Sequence, residues 1–180
     1  RRTLEFLART FGYASRWHRD AASRWAWKRR PAIAALVALG GPEAQRSFEA
    51  ALNDPEPDIR LMVARAMSAS DATTAGHVFR FAFAEPPLVR ALLAEDLKRH
   101  ASVLTVEVLP QLRNHEELAA ALEMAASWRR SLSIPRLAEY CASTNSAIAT
   151  YALRLLPYCG DPAEQEGIVL KALKHPSAAV

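Results

Sequence analysis

The sequence predicts an all-α fold, an α-α superhelix (solenoid) of antiparallel helix pairs with a period of about thirty residues. Three observations predict it. Strong helix formers (Ala, Leu, Glu, Arg) fill the 180 residues, alternating Val/Ile/Thr runs are missing, and only 6 residues are glycine. Helix entries resemble one another at steps of thirty. Turn signals separate them at matching places. An apolar fraction of 51% is ample for a packed core, and 23% charged residues suffice for solubility.

Residues 1–30 form a basic, aromatic head. Nine Lys and Arg stand there against Glu5 and Asp20, a surplus of seven in a chain whose net charge is +4, so residues 31–180 are mildly acidic. The stretch "RTFGYASRWHRDAASRWAWKRR" (9–30) sets Phe11, Tyr13, Trp17, Trp25 and Trp27 among cations. Three readings compete. As an N-terminal helical cap, Trp17 and Trp25 cover the open end of the first repeat while the arginines stay wet. As a juxtamembrane segment, Arg16, Arg19, Arg24, Trp25, Trp27, Lys28, Arg29 and Arg30 meet an anionic membrane surface. As a nucleic-acid site, the cations hold phosphates and the rings stack bases. The third is the weaker, because the acidic remainder offers no continuing positive track.

Residues 31–180 read as about four and a half repeats. The run Ala32 to Leu39 is too short to span a bilayer, which takes roughly 20 residues. "GGP" (40–42) stops that helix. After the next, "DPEP" (54–57) opens a third: Asp54 is placed to cap it, Pro55 and Pro57 suit first-turn positions, and Glu56 and Asp58 favour its positive end. Ile59, Val63 and Met67 form its apolar stripe. A partner helix of roughly 73–84 carries Val78, Phe81 and Phe83. "EPP" (85–87) then repeats the junction, with Val89-Arg90 thirty residues after Ile59-Arg60. Pro110 falls inside a predicted helix and should kink it or move its end. Further entries follow at "NHEELAAALEMA", "TNSAIATYALRLL" and "HPSAAV". Independently, Pro42 and Gln45 recur as Pro162 and Gln165, four periods later. A thirty-residue pair cannot bury its own apolar face, so each unit depends on its neighbours.

In "DPEPDIRLMVARAM", "LVALGGPEAQRSFEAALNDP" and "YCGDPAEQEGIVLKALKHPSAAV" the chain resembles the HEAT-repeat family in its short bacterial form. The matching habits are an Asp-Pro entry, an apolar-Arg pair, then Ala and Leu, a Gly-Asp or Gly-Pro turn, and a second helix ending Ala-Leu. The third unit departs from them, with no Asp-Pro and with Ala120 where Arg60 and Arg90 would recur. The resemblance implies a scaffold whose second helices line a concave binding face, and it implies Arg60 and Arg90 as a structural ladder. It implies no single activity.

No metal site is indicated: His18, His77, His100, His115 and His175 lack HxxxH or HExxH spacing, and Cys141 and Cys159 are eighteen residues apart. Two cysteines read as buried reduced thiols of a cytoplasmic protein. No nucleophile elbow or phosphate loop is present. Glu95 and Asp96 are helix neighbours pointing about 100° apart, unsuited to paired acid/base work. Bilin lyases and alkylpurine DNA glycosylases share the architecture. The second would need Trp, Asp and Arg on one concave face, for which Trp128-Arg129-Arg130 supplies no evident acid.

The reading is therefore a non-catalytic scaffold without a cofactor or evident small-molecule substrate. It is expected to hold a protein partner on exposed second-helix residues: Arg46, Glu49, His77 and Arg80. An anionic membrane is a further expected partner near the N-terminus, with nucleic acid the alternative. The chain starts without methionine and stops in mid-repeat, so it is expected to be part of a longer protein, cytoplasmic, with a tether to the inner membrane through a segment upstream of residue 1 as a further expectation.

Overall fold

The computed structural model describes residues 2–173, all of whose regular structure is helical. The expected entry "HPSAAV", with His175, lies outside them. In chain order the helices are α1 (Arg2–Thr10), α2 (Tyr13–Ala21), α3 (Ala26–Leu39), α4 (Pro42–Ala51), α5 (Pro57–Ser68), α6 (Ala72–Ala84) and α7 (Pro87–Leu97). A short turn, α8 (Ala101–Val103), precedes α9 (His115–Ser127), α10 (Ile134–Cys141), α11 (Ser146–Leu155) and α12 (Pro162–Ala172). Helices α5, α7, α9 and α11 begin at residues 57, 87, 115 and 146, so the thirty-residue rhythm is present in the backbone.

The chain divides into two compact units, one ending at Thr74 and the other beginning at Ala75. In the first, α2 packs on α3 and α4, and α3 and α4 both pack on α5. Its core holds Ile33, Leu36, Phe48, Ile59, Val63 and Met67. In the second, α11 packs on α9 and α10, and α10 on α12, around Leu122, Leu137, Ile148 and Leu155. The α6 stripe differs from expectation. Val78, Phe79, Ala82 and Phe83 are buried, at i, i+1, i+4 and i+5, while Phe81 is half-buried because it lies off that face.

The boundary expected between residues 30 and 31 falls inside α3, which carries Pro31 in its interior. Residues on both sides of that expected boundary share one helix. The Asp54 reading also needs correction. Helix α5 begins at Pro57, with Glu56 at its N-cap. The Asp54 Oδ1 accepts the Glu56 N–H at 2.9 Å, the turn that Asn114, Asn145 and Asp161 make with Glu116, Ala147 and Ala163. Those three are true caps; Asp54 stands two residues before the N-cap, where its carboxylate has another partner.

Pro110 has the expected effect. After α7 the chain runs through a 3₁₀ turn (Lys98–His100), α8, a π-helical turn (Leu104–Val108) and a second 3₁₀ turn (Leu109–Gln111). Pro110 has no N–H for the carbonyl four residues back, and the Leu109 N–H reaches the Leu104 carbonyl five residues back. Both cysteines are buried. Burial, and then the neighbouring Cys159, push the Cys141 thiol up to about 11, so it stays protonated at neutral pH.

Candidate functional site

Helix α2 starts after Gly12, whose φ of 69° is a left-handed conformation natural to glycine. That turn sets Tyr13 and Trp17 one helical turn apart, their rings stacked at 6.0 Å and 22°. Arg16 and Arg19 flank them, and Trp27 and Lys28 face them from α3. Together with Asp20, Pro31 and Ala32 these side chains line a groove of about 730 Å³. Three aromatic rings and three cations meet one acid there, and Asp20 is within 3.6 Å of Arg16.

The rim is apolar and wet at once. Trp27 is 70% exposed, and Phe11, Tyr13 and Trp25 are exposed as well. The Lys28 Nζ lies 5.2 Å from the Trp27 ring centre, and the Arg24 guanidinium lies 4.5 Å over Trp25. Each such contact is worth about 0.5–1 kcal/mol at an exposed site. The structure thus gathers Arg16, Arg19, Trp27 and Lys28 around one groove, with Arg24 and Trp25 at the corner before α3. Tyr13 and Trp17 are the walls that the sequence reading left out of its candidate set. Their i, i+4 spacing was the available signal.

Arg29 is not part of this surface. It is 8% exposed, and its Nε and Nη2 donate to both Asp54 oxygens at 2.6 and 2.8 Å. Its Nη1 donates to the Ser23 and Arg24 carbonyls. The reason is helical phase: Arg29, Ala32, Ile33 and Leu36 share the buried face of α3. Burial pushes the Asp54 carboxyl up. The Arg29 hydrogen bond, the Glu56 N–H and the charges of Arg29 and Arg60 outweigh it and hold the group below the usual carboxylate range. The bond to Asp54 in turn raises the Arg29 guanidinium. Arg30 pairs instead with Asp58 at 2.7 Å in open solvent, 54% and 71% exposed.

The expected partner-binding residues fall in both units. Arg46 and Glu49 are exposed on α4. Arg46 lines a second hollow of about 440 Å³ with His18, Ser47 and the Arg29–Asp54 pair, and His18 bonds Ser47 at 2.9 Å. His77 and Arg80 are exposed on α6, and Arg80 donates to Gln111 at 2.6 Å.

The second unit has a hollow of about 290 Å³ between α7 and α9, lined by Ala91, Ala94, Met124 and Trp128, with Arg90, Glu95 and Glu123. The acid that sequence reasoning could not place beside Trp128 is therefore Glu95 or Glu123. Glu123 accepts from Arg90 at 3.1 Å and from the Tyr151 hydroxyl at 3.3 Å. Among the described residues no three His, Cys, Asp or Glu gather as a metal site, and no helix is long and apolar enough to cross a membrane.

Compared with known proteins, the chain is matched by no protein-family model and by no curated protein.

Proposed function

We propose that the chain is a HEAT-like helical-repeat scaffold that holds a protein partner on its second helices, without catalysis of its own. The observation that carries this reading is a bond repeated one period apart. The Arg60 guanidinium donates to the Pro55 carbonyl, and thirty residues later the Arg90 guanidinium donates to the Glu85 carbonyl, at 3.4 and 3.3 Å. An equivalent arginine closes an equivalent turn at these two places, one period apart. Polar contacts between side chains keep the rhythm: His18–Ser47, Gln45–Thr74, Arg80–Gln111 and Glu123–Tyr151 join residues 28 to 31 positions apart. A chain built this way stacks neighbours on neighbours and leaves its second helices to be decorated.

Arg46, Glu49, His77 and Arg80 are the exposed second-helix side chains assigned to the partner. Charge reversal tests the assignment. Arg46→Glu with Arg80→Glu should keep the helical signal and lose a partner that the wild-type chain retains on a column. Equal recovery by both chains would refute the assignment.

A further inference from the structure

We infer that the α1–α3 surface is a peripheral docking site for an anionic lipid bilayer, a role separate from the partner-binding proposal. Charge complementarity is the first argument. Arg16, Arg19 and Lys28 converge on the α2/α3 groove and Arg24 is exposed at the corner before α3, whereas residues 31–180 are net acidic. The attraction is therefore concentrated on one end of the chain, as suits contact with a charged sheet. The second argument is the kind of apolar surface beside those cations. Leu7, in the last turn of α1, and Phe11, just past its end, are exposed, as are Trp25 and Trp27, and the Phe11 ring lies 6.5 Å from that of Tyr13 in the groove wall. Such an exposed apolar set next to Arg and Lys has the composition of an interfacial segment, with rings at headgroup level and cations on lipid phosphates.

Single-stranded nucleic acid suits the site less well. Leu7 has no ring to stack on a base, and Trp25 and Trp27 each already carry a cation against their ring. The burial of Arg29 sharpens the proposal, since it removes the central residue of "KRR" from the contact and leaves the groove cations to supply it.

The test is vesicle co-sedimentation of the full chain with phosphatidylcholine alone and with phosphatidylcholine containing phosphatidylglycerol. It is run at about 0.01 M and 1 M salt, where the screening length is about 30 and 3 Å. Binding should require the anionic lipid and fall at high salt, and tryptophan emission should shift to the blue. Each groove cation is expected to contribute about five-fold to partition, equivalent to about 1 kcal/mol. The triple variant Arg16→Gln/Arg19→Gln/Lys28→Gln should therefore lose roughly a hundred-fold. Trp25→Ala/Trp27→Ala should abolish most of the emission shift. Arg16, Arg19, Trp25 and Trp27 are exposed and Lys28 is half-buried, and an unchanged thermal melt checks that the variants fold. Absence of anionic-vesicle binding at low salt, equal binding to neutral vesicles, or salt-sensitive binding to single-stranded DNA without vesicle binding would each overturn the proposal.

Discussion

Two helix junctions use the same device to opposite effect. Where α3 meets the turn between α4 and α5, an arginine and an acid pair bidentately at 2.6 and 2.8 Å, with side chains only 9% and 5% exposed. Where α7 meets α9, Arg90 and Glu123 pair through one contact at 3.1 Å, 18% and 41% exposed, beside a hollow of about 290 Å³. Water decides the difference. At the first junction each ion has given up its hydration and depends on its partner; at the second, solvent can take over if the partner leaves.

The largest effect follows from breaking the closed junction. Arg29→Ala or Asp54→Ala should each cost about 3–5 kcal/mol of unfolding free energy, because each strands a buried charge. Arg29→Met combined with Asp54→Leu should recover most of the loss. Urea denaturation of the three variants checks both statements, and equal losses for single and double variants would break the comparison.

Acid should find the same junction. The Asp54 carboxyl titrates below its ordinary value of about 3.9. Its contribution is therefore complete above that value and disappears as pH falls through the lower folded value. The stability gap between the wild type and Asp54→Asn should stay level from neutral pH down to about 5 and close below about 4. A gap that closes near neutral pH would contradict the assignment.

The open junction should respond less. Arg90→Ala or Glu123→Gln is expected to cost about 0.5–1 kcal/mol, and a double-mutant cycle should give a coupling no larger than that. At the end of α9, Arg129 occupies the left-handed position (φ 55°) that glycine usually takes. The Arg130 N–H reaches the Ala125 carbonyl and the Arg129 N–H the Ala126 carbonyl. Arg129→Gly should relieve strain and stabilise the second unit by about 0.5–1 kcal/mol, seen as a higher melting temperature. The smallest effect is Arg30→Ala, a few tenths of a kcal/mol, because its pair with Asp58 stands in solvent.

The contrast between Arg29 and Arg30 also shows how far the amino-acid sequence could be read. Helix entries, the thirty-residue rhythm and the disruptive Pro110 follow from local rules of capping, turn chemistry and a missing N–H, which act within a few residues. Composition alone makes Arg29 one more cation of a wet patch, whereas helical phase puts it on the buried face of α3. Its place at i in the stripe with Ala32, Ile33 and Leu36 was visible. Its partner, 25 residues away, was not, since pairing at that distance is set by how helices pack. The same holds for Trp128, Glu95 and Glu123, three residues from two helices that only packing brings around one hollow. The groove was half legible: its cations stood out by density, its walls of Tyr13 and Trp17 only by spacing.

The Arg29–Asp54 pair also makes the first fifty-odd residues hereditary property of one piece. A chain started at Pro31 would keep the Asp54 carboxylate and lose its cation, together with the Ser23 and Arg24 carbonyls that hold that cation in place. Cutting or shuffling between residues 30 and 31 therefore carries a folding penalty, and exchange of segments is expected to spare this seam.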